Sequence, residues 1–139
     1  MTDFTISANV ATPYDATLAR VRDLLAEAGF GVLTEIDLQA TLKAKLGVDL
    51  PAQVILGACR PPLAHEALQA DPRLATMLPC NVVVAAEGEA TRVEVFDPAV
   101  MTTFSDAPAL AAVAAEARDR LSGMMAALTD EEDRDATRA

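Results

Sequence analysis

One segment near residue 88 limits the folds available to this chain more than any other. Residues Asn81 to Ala86 form a largely apolar run, the turn Glu87-Gly88-Glu89-Ala90 follows, and Thr91 to Asp97 then alternates apolar and polar residues. This pattern predicts two strands joined by a tight turn, which makes them antiparallel neighbours. A strictly doubly wound parallel sheet does not contain such a hairpin, so we expect an α+β fold with a largely antiparallel sheet and helices on one face. The apolar run itself predicts a central strand covered on both faces.

The periodicity of apolar residues divides the rest of the chain into strands and helices. A period of two residues predicts strands, a spacing of three to four predicts helices, and Gly and Pro mark where elements end. The expected order is β-α-β-α-β-α-β-β-α, with the last helix, from about Asp106, the longest. The strands are expected at residues 4–10, 30–37, 54–59, 81–86 and 91–97.

The chain has 139 residues and no internal linker, which predicts a single domain. Apolar residues make up 52% of it, enough to form a core without disulfides or metal ions. We place the α+β domain at residues 1–128. Residues 129–139 are rich in Asp and Glu and carry almost no apolar surface, so we expect them to form an acidic, disordered tail.

The charge of the chain excludes two classes of partner. Its net charge is −10, and its Lys and Arg residues are scattered. Nucleic acids and anionic membranes are bound by concentrated basic surfaces, so we expect neither as a partner. No apolar segment approaches the length of a membrane span, and the first residues do not resemble a signal peptide, so we expect a cytoplasmic protein.

Two cysteines and one histidine, Cys59, Cys80 and His65, are the first candidates for chemistry. Their spacing matches no zinc-binding pattern, and the chain has no phosphate-binding loop and no nucleophile motif. We therefore expect no cofactor, and catalysis by a familiar motif is unsupported.

The predicted topology brings some of these residues together. If the third and fourth strands are antiparallel neighbours, Cys59 at the end of one and Cys80 at the start of the next lie at the same end of the sheet; if they are parallel, the thiols lie at opposite ends. Asp97 ends the fifth strand, which returns to that same end. Cys59, Cys80, Asn81 and Asp97 would then surround one corner as candidate binding residues, with His65 one turn into the intervening helix.

Each of these residues also has an ordinary structural interpretation. Free cysteines commonly pack as small apolar side chains in a reducing compartment. Asp97 precedes Pro98 and can cap a turn, and Asn81 can satisfy backbone groups at the strand edge. His65 can be a solvated side chain on a surface helix.

Several segments of the chain resemble the uncharacterised bacterial family called domain of unknown function 302. The resemblance covers about residues 4 to 127, and its most specific piece is Leu78-Pro79-Cys80-Asn81. Arg60 departs from the family, which typically has Asn after Ala-Cys. The segments that carry the resemblance are Leu56 to Pro61, Leu78 to Val84, Asp97-Pro98, Glu35 to Asp37, Thr41-Leu42 and Leu46-Gly47.

The resemblance implies a fold similar to the class of the TATA-box-binding protein, in which a bent antiparallel sheet packs against a long C-terminal helix. It also implies homodimers and favours the antiparallel arrangement of Cys59 and Cys80. It implies no established activity, and similarity of fold to a DNA-binding protein carries no function by itself.

Three functions are consistent with these observations. The first is a non-enzymatic binding or interaction module, with a small apolar ligand held in a cavity lined by Val82–Val84 and Leu121–Met125 between the sheet and the long helix. The alternative is thiol-based redox chemistry or soft-metal binding at Cys59 and Cys80, with Asp97 and His65 nearby. The third is a structural dimer that recruits a protein partner through an exposed apolar patch.

Overall fold

The structure, a computed structural model, describes the backbone of residues 3–138 and the side chains of residues 3–131. The strands are β1 (Thr5–Val10), β2 (Gly31–Asp37), β3 (Gln53–Cys59), β4 (Cys80–Glu87) and β5 (Ala90–Phe96). The α-helices are α1 (Tyr14–Glu27), α2 (Leu38–Leu46), α3 (Pro61–Ala70), α4 (Met101–Phe104) and α5 (Leu110–Arg138). Short 3₁₀ helices at Pro72–Met77 and Pro98–Val100 and the short α4 are added to the predicted order, which is otherwise confirmed.

The five strands form one antiparallel sheet in the order β1-β5-β4-β3-β2. The hairpin of β4 and β5 is central in it, as predicted, and Gly88 supplies the positive φ of +62° that its tight turn requires. Because β3 pairs antiparallel with β4, the last residues of β3 and the first residues of β4 lie at the same end of the sheet, as the sequence predicts.

One buried cluster lies on one face of the sheet, and α3, α4, α5 and the 3₁₀ helix Pro72–Met77 form a second. Val82 pairs with Val95 and Val84 with Val93, and all four side chains are fully buried. Helices α1 and α5 cover them with apolar side chains that include Leu25 and Leu121. We call these four side chains the valine ladder. Full burial of an aliphatic side chain contributes about 1.5–3 kcal/mol, so the valine ladder is a principal source of stability.

The opposite face of β4 is only partly covered, so the prediction that this strand is buried on both faces is wrong. On this face Asn81 is exposed and Val83 is half-buried. Val82 and Val84, which alternate with them along the strand, are fully buried on the core face. An antiparallel hairpin needs no crossover helix to join its strands, so nothing in its connectivity requires cover for the second face.

The last helix extends past residue 128, where the sequence places the end of the domain. Its backbone is helical to Arg138, and Arg20 of α1 forms an ion pair with Glu131. The side chains of residues 132–138, and all of residue 139, lie outside the described residues. The division into a domain and an acidic tail stays a prediction. None of the described helices combines the length and apolarity that a membrane span requires.

Gly57 allows the segment around Pro79 to lie against β3. A Cβ atom on Gly57 would stand 2.8 Å from Pro79 Cγ and closer still to Thr34 Oγ1. We expect Gly57→Ala to lower the free energy of unfolding by about 1–3 kcal/mol through overpacking, measured by urea denaturation.

A second glycine provides the control for this prediction. Gly123 lies in α5, where an added methyl group meets nothing within 4 Å. Gly123→Ala should therefore raise the free energy of unfolding by about 0.5–1 kcal/mol, because Ala favours the helix. Equal stability of Gly57→Ala and the wild type would mean that the Pro79 segment does not pack closely on β3.

Candidate functional site

A pocket of about 410 Å³ lies on the half-covered face of the sheet; we call it the open-face pocket. It forms where β1, β4 and β5 meet the segment from Thr76 to Pro79. Ten residues line it: Phe4, Thr5, Thr76, Met77, Leu78, Pro79, Asn81, Val83, Glu94 and Phe96.

The pairing of the strands determines which side chains form the floor of the pocket. Val83 pairs with Glu94, and Thr5 pairs with Phe96. Because side chains alternate along a strand, these residues point away from the core that holds Val82 and Val95. The floor is therefore a direct consequence of the register that buries the valine ladder.

The wall of the pocket is formed by the end of the 3₁₀ helix Pro72–Met77 and by Leu78 and Pro79, which lead into β4. Asp71 fixes the start of this helix, because its Oδ1 accepts a hydrogen bond from the backbone N–H of Arg73 at 3.0 Å. Its Oδ2 accepts from the Ser105 hydroxyl at 2.8 Å, and Ser105 is itself buried. Hydrogen bonds from the Arg73 side chain first, and then from Ser105, hold the pKa of the Asp71 carboxyl well below its usual range.

Two polar side chains, Glu94 and Asn81, line the pocket on the face of the sheet. Glu94 Oε1 accepts a hydrogen bond from Arg92 Nη1 at 3.1 Å, and Arg92 Nε also donates to Glu87 at 2.9 Å. The Asn81 amide is exposed and makes no hydrogen bond with any residue that the structure describes. The remaining lining is mostly apolar, as is usual for small-molecule sites.

The cavity predicted between the sheet and the long helix does not exist at the expected residues. Val82, Val84 and Leu121 are fully buried, and Met124 and Met125 are at most 4% exposed within the same packed cluster. The prediction fails because these α5 side chains and the valines of β4 and β5 belong to one buried cluster. A shallow groove of about 240 Å³ does run along the outer side of α1 and α5, beside Met124.

Cys59 and Cys80 lie at the same end of the sheet, as the antiparallel prediction requires. Ala58 pairs with Cys80, so Cys59 lies one position beyond the partner of Cys80. Both line a small gap of about 30 Å³, which has room for about one water molecule. Cys80 is buried, Cys59 is half-buried, and both thiols are free.

The other predicted site residues do not join the cysteines. Asn81 points to the opposite face of β4 and lines the open-face pocket instead. Asp97 Oδ1 caps the following 3₁₀ helix through the N–H of Ala99 at 3.0 Å, and its Oδ2 accepts from Arg118 Nε at 3.1 Å. His65 is exposed on α3 and does not line the gap.

The environment of the two thiols disfavours their reactive form. Burial raises the pKa of the Cys59 thiol. Burial, and then the proximity of Cys59, raises the pKa of Cys80 to about 11. Among the described residues, no group of three or more His, Cys, Asp or Glu side chains is arranged to hold a metal ion.

Reasoning from the sequence missed most of the pocket. Phe4, Phe96, Glu94 and the segment of Leu78 and Pro79 were not proposed as site residues. One signal was available in the sequence. The alternation of β5 puts Phe96 on the same face as Arg92 and Glu94, and not on the face of the two valines. A large aromatic side chain on the polar face of an alternating strand indicates a second apolar surface.

The chain resembles a known protein family and a solved structure. The family described as "Domain of unknown function DUF302" matches residues 6–128. The crystal structure of an uncharacterized conserved DUF302 protein from Bacillus stearothermophilus is similar, with a TM-score of 0.80 and 30% sequence identity over 88% of this chain and 96% of that chain. None of the curated proteins matches the chain.

The raised pKa values predict slow alkylation of both cysteines. The thiolate is the nucleophile, so iodoacetamide should label the folded chain at pH 7.5 at least ~10-fold more slowly than the unfolded chain, with Cys80 the slower of the two. Intact-mass spectrometry of Cys59→Ala and Cys80→Ala separates the two rates. Fast labelling of either thiol with a midpoint below about pH 8 would contradict the burial of both groups.

Proposed function

This chain belongs to the DUF302 family, and we propose that it is a small-molecule binding protein whose site is the open-face pocket. The observation that carries the proposal is the volume of about 410 Å³, within the range of small-molecule sites. Six of the ten lining residues are apolar; of the four polar ones, three lie on the floor and Thr76 lies in the wall.

The chemistry of the lining favours binding over catalysis. Glu94 is the only ionisable side chain among the ten described residues that line the pocket. General acid–base catalysis usually combines groups of matched pKa within reach of the same reacting atoms, and nucleophilic catalysis needs an activated nucleophile beside a base. A single carboxylate already paired with Arg92 fits the role of a recognition group better.

We do not extend the proposal to thiol chemistry at Cys59 and Cys80. Their raised pKa values reduce the fraction of thiolate at neutral pH, and thiolates are required for both redox exchange and soft-metal binding. The gap beside them holds about one water molecule, which leaves no room for a substrate.

Filling the pocket should abolish ligand binding without unfolding the chain. Val83→Trp projects an indole ring into the pocket from its floor, and Thr76→Trp does so from its wall. We expect either variant to weaken the binding of a neutral, environment-sensitive dye, N-phenyl-1-naphthylamine, at least ~10-fold in a fluorescence titration, because the apolar volume is lost.

Gln53→Trp is the matched control for this experiment. Gln53 pairs with Ala85 on the same face of the sheet but does not line the pocket. It should bind the dye as the wild type does, with circular dichroism confirming that all variants are folded. Equal dye affinity of the filled variants and the wild type would place the binding site elsewhere.

We also propose that two copies of the chain pair through β2, in line with the homodimers that the family resemblance implies. β2 is an edge strand, and all seven of its residues are exposed. Its apolar side chains Val32, Leu33 and Ile36 are 37%, 64% and 45% exposed, and Leu46 of α2 is 70% exposed. An antiparallel edge strand is self-complementary about a two-fold axis, which makes a second copy its natural partner.

A charge on β2 should dissociate this dimer. We expect the wild type to sediment as a dimer in analytical ultracentrifugation and Leu33→Glu to weaken dimerisation at least ~10-fold, because two carboxylates would be desolvated at the interface. Phe104→Glu, on α4 and 70% exposed in the wild type, is the control and should stay dimeric. A monomeric wild type, or equal behaviour of both variants, would contradict pairing through β2.

A further inference from the structure

The charges in contact with Glu94 do not cancel. The guanidinium of Arg92 is shared between Glu94 Oε1 at 3.1 Å and Glu87 Oε1 at 2.9 Å. This group of one cation and two carboxylates carries one net negative charge. No described residue donates a hydrogen bond to Glu94 Oε2, which leaves that oxygen free to accept one from a ligand.

The apolar surroundings of Glu94 strengthen the electrostatic attraction between its carboxylate and a cationic ligand. Its side chain is 26% exposed and lies beside the apolar lining, where the effective dielectric constant is lower than in water. None of the ten lining residues is basic. The chain as a whole carries a net charge of −10, so its long-range field also repels anions and attracts cations.

Two further features of the pocket suit a cationic nitrogen. Phe96 lies two residues from Glu94 on the same face, and Phe4 precedes Thr5, the partner of Phe96. The faces of aromatic rings attract an ammonium group. The Asn81 amide, which has no partner among the described residues, offers a carbonyl oxygen that can accept a second N–H bond.

We infer that the ligand of the open-face pocket is an apolar primary amine, a refinement that rests on the function proposed above. Its ammonium group binds the carboxylate of Glu94 and the amide oxygen of Asn81. Its hydrocarbon part lies against Phe4, Phe96 and Val83. Carboxylates, phosphates and other anions of the same size bind more weakly than the amine.

Three probes that share one ring system test this inference. 2-Naphthylmethylamine is a cation at neutral pH, 2-naphthylmethanol is neutral, and 2-naphthoic acid is an anion. Titration calorimetry on the full chain at low salt should show the amine binding at least ~10-fold more tightly than the alcohol, and the acid binding most weakly. Added salt should weaken the binding of the amine and leave that of the alcohol unchanged.

Two charge-matched variants locate the effect. Glu94→Gln should remove the advantage of the amine over the alcohol. Glu89→Gln removes the same charge from the β4–β5 turn, outside the pocket lining, and should retain the preference for the amine. A preference that persists in Glu94→Gln would overturn the assignment of the amine to this carboxylate.

The outcomes separate this inference from the proposed function. Equal binding of the amine and the alcohol, with both lost in Val83→Trp, would overturn the choice of ligand class and leave the pocket as a binding site. Binding of none of the three probes would overturn the proposed function as well.

Discussion

The structure depends on the burial of one face of the sheet. Val82, Val84, Val93 and Val95 form a ladder across the central hairpin, and α1 and α5 close over it. Because side chains alternate strictly along a strand, burying these valines determines which residues occupy the other face. Asn81, Val83, Glu94 and Phe96 are placed there by the register of the core, and they become the floor of the open-face pocket.

The wall of the pocket depends on contacts of a different kind. The chain between Asp71 and Pro79 is not a regular extension of the sheet. It is held by the hydrogen bonds of Asp71 to Arg73 and Ser105, and by the close approach of Pro79 to Gly57. A buried, hydrogen-bonded carboxylate at one end and a glycine at the other fix where this segment crosses the sheet. The pocket therefore combines a floor set by the core with a wall set by a few specific contacts.

The local patterns of the sequence were sufficient for the architecture. The hairpin turn at Gly88 and the alternation of β5 predict an antiparallel sheet, and the positions of Cys59 and Cys80 at one end of it follow from that topology. The coverage of β4 was not predictable in the same way, because a continuous apolar run has no period and does not show which face meets the helices.

The location of the site required tertiary information. Adjacent residues of a strand point to opposite faces, so Cys80 and Asn81 could not share a corner, and the sequence alone could have shown this. The approach of Leu78 and Pro79 to β1 and β5 could not have been derived, since it depends on how an irregular segment packs. The raised pKa of Cys80 likewise follows from burial, which local sequence does not specify.

Chemical-shift mapping of a bound neutral probe tests the central claim most directly. The claim is that ligands bind on the open face of the sheet and not against the helices. With 2-naphthylmethanol added to the ¹⁵N-labelled chain, we predict that the perturbed backbone amides cluster at residues 76–83 and 94–96. Perturbations confined to the groove between α1 and α5, at Leu24, Met124 and Ala127, would contradict the account.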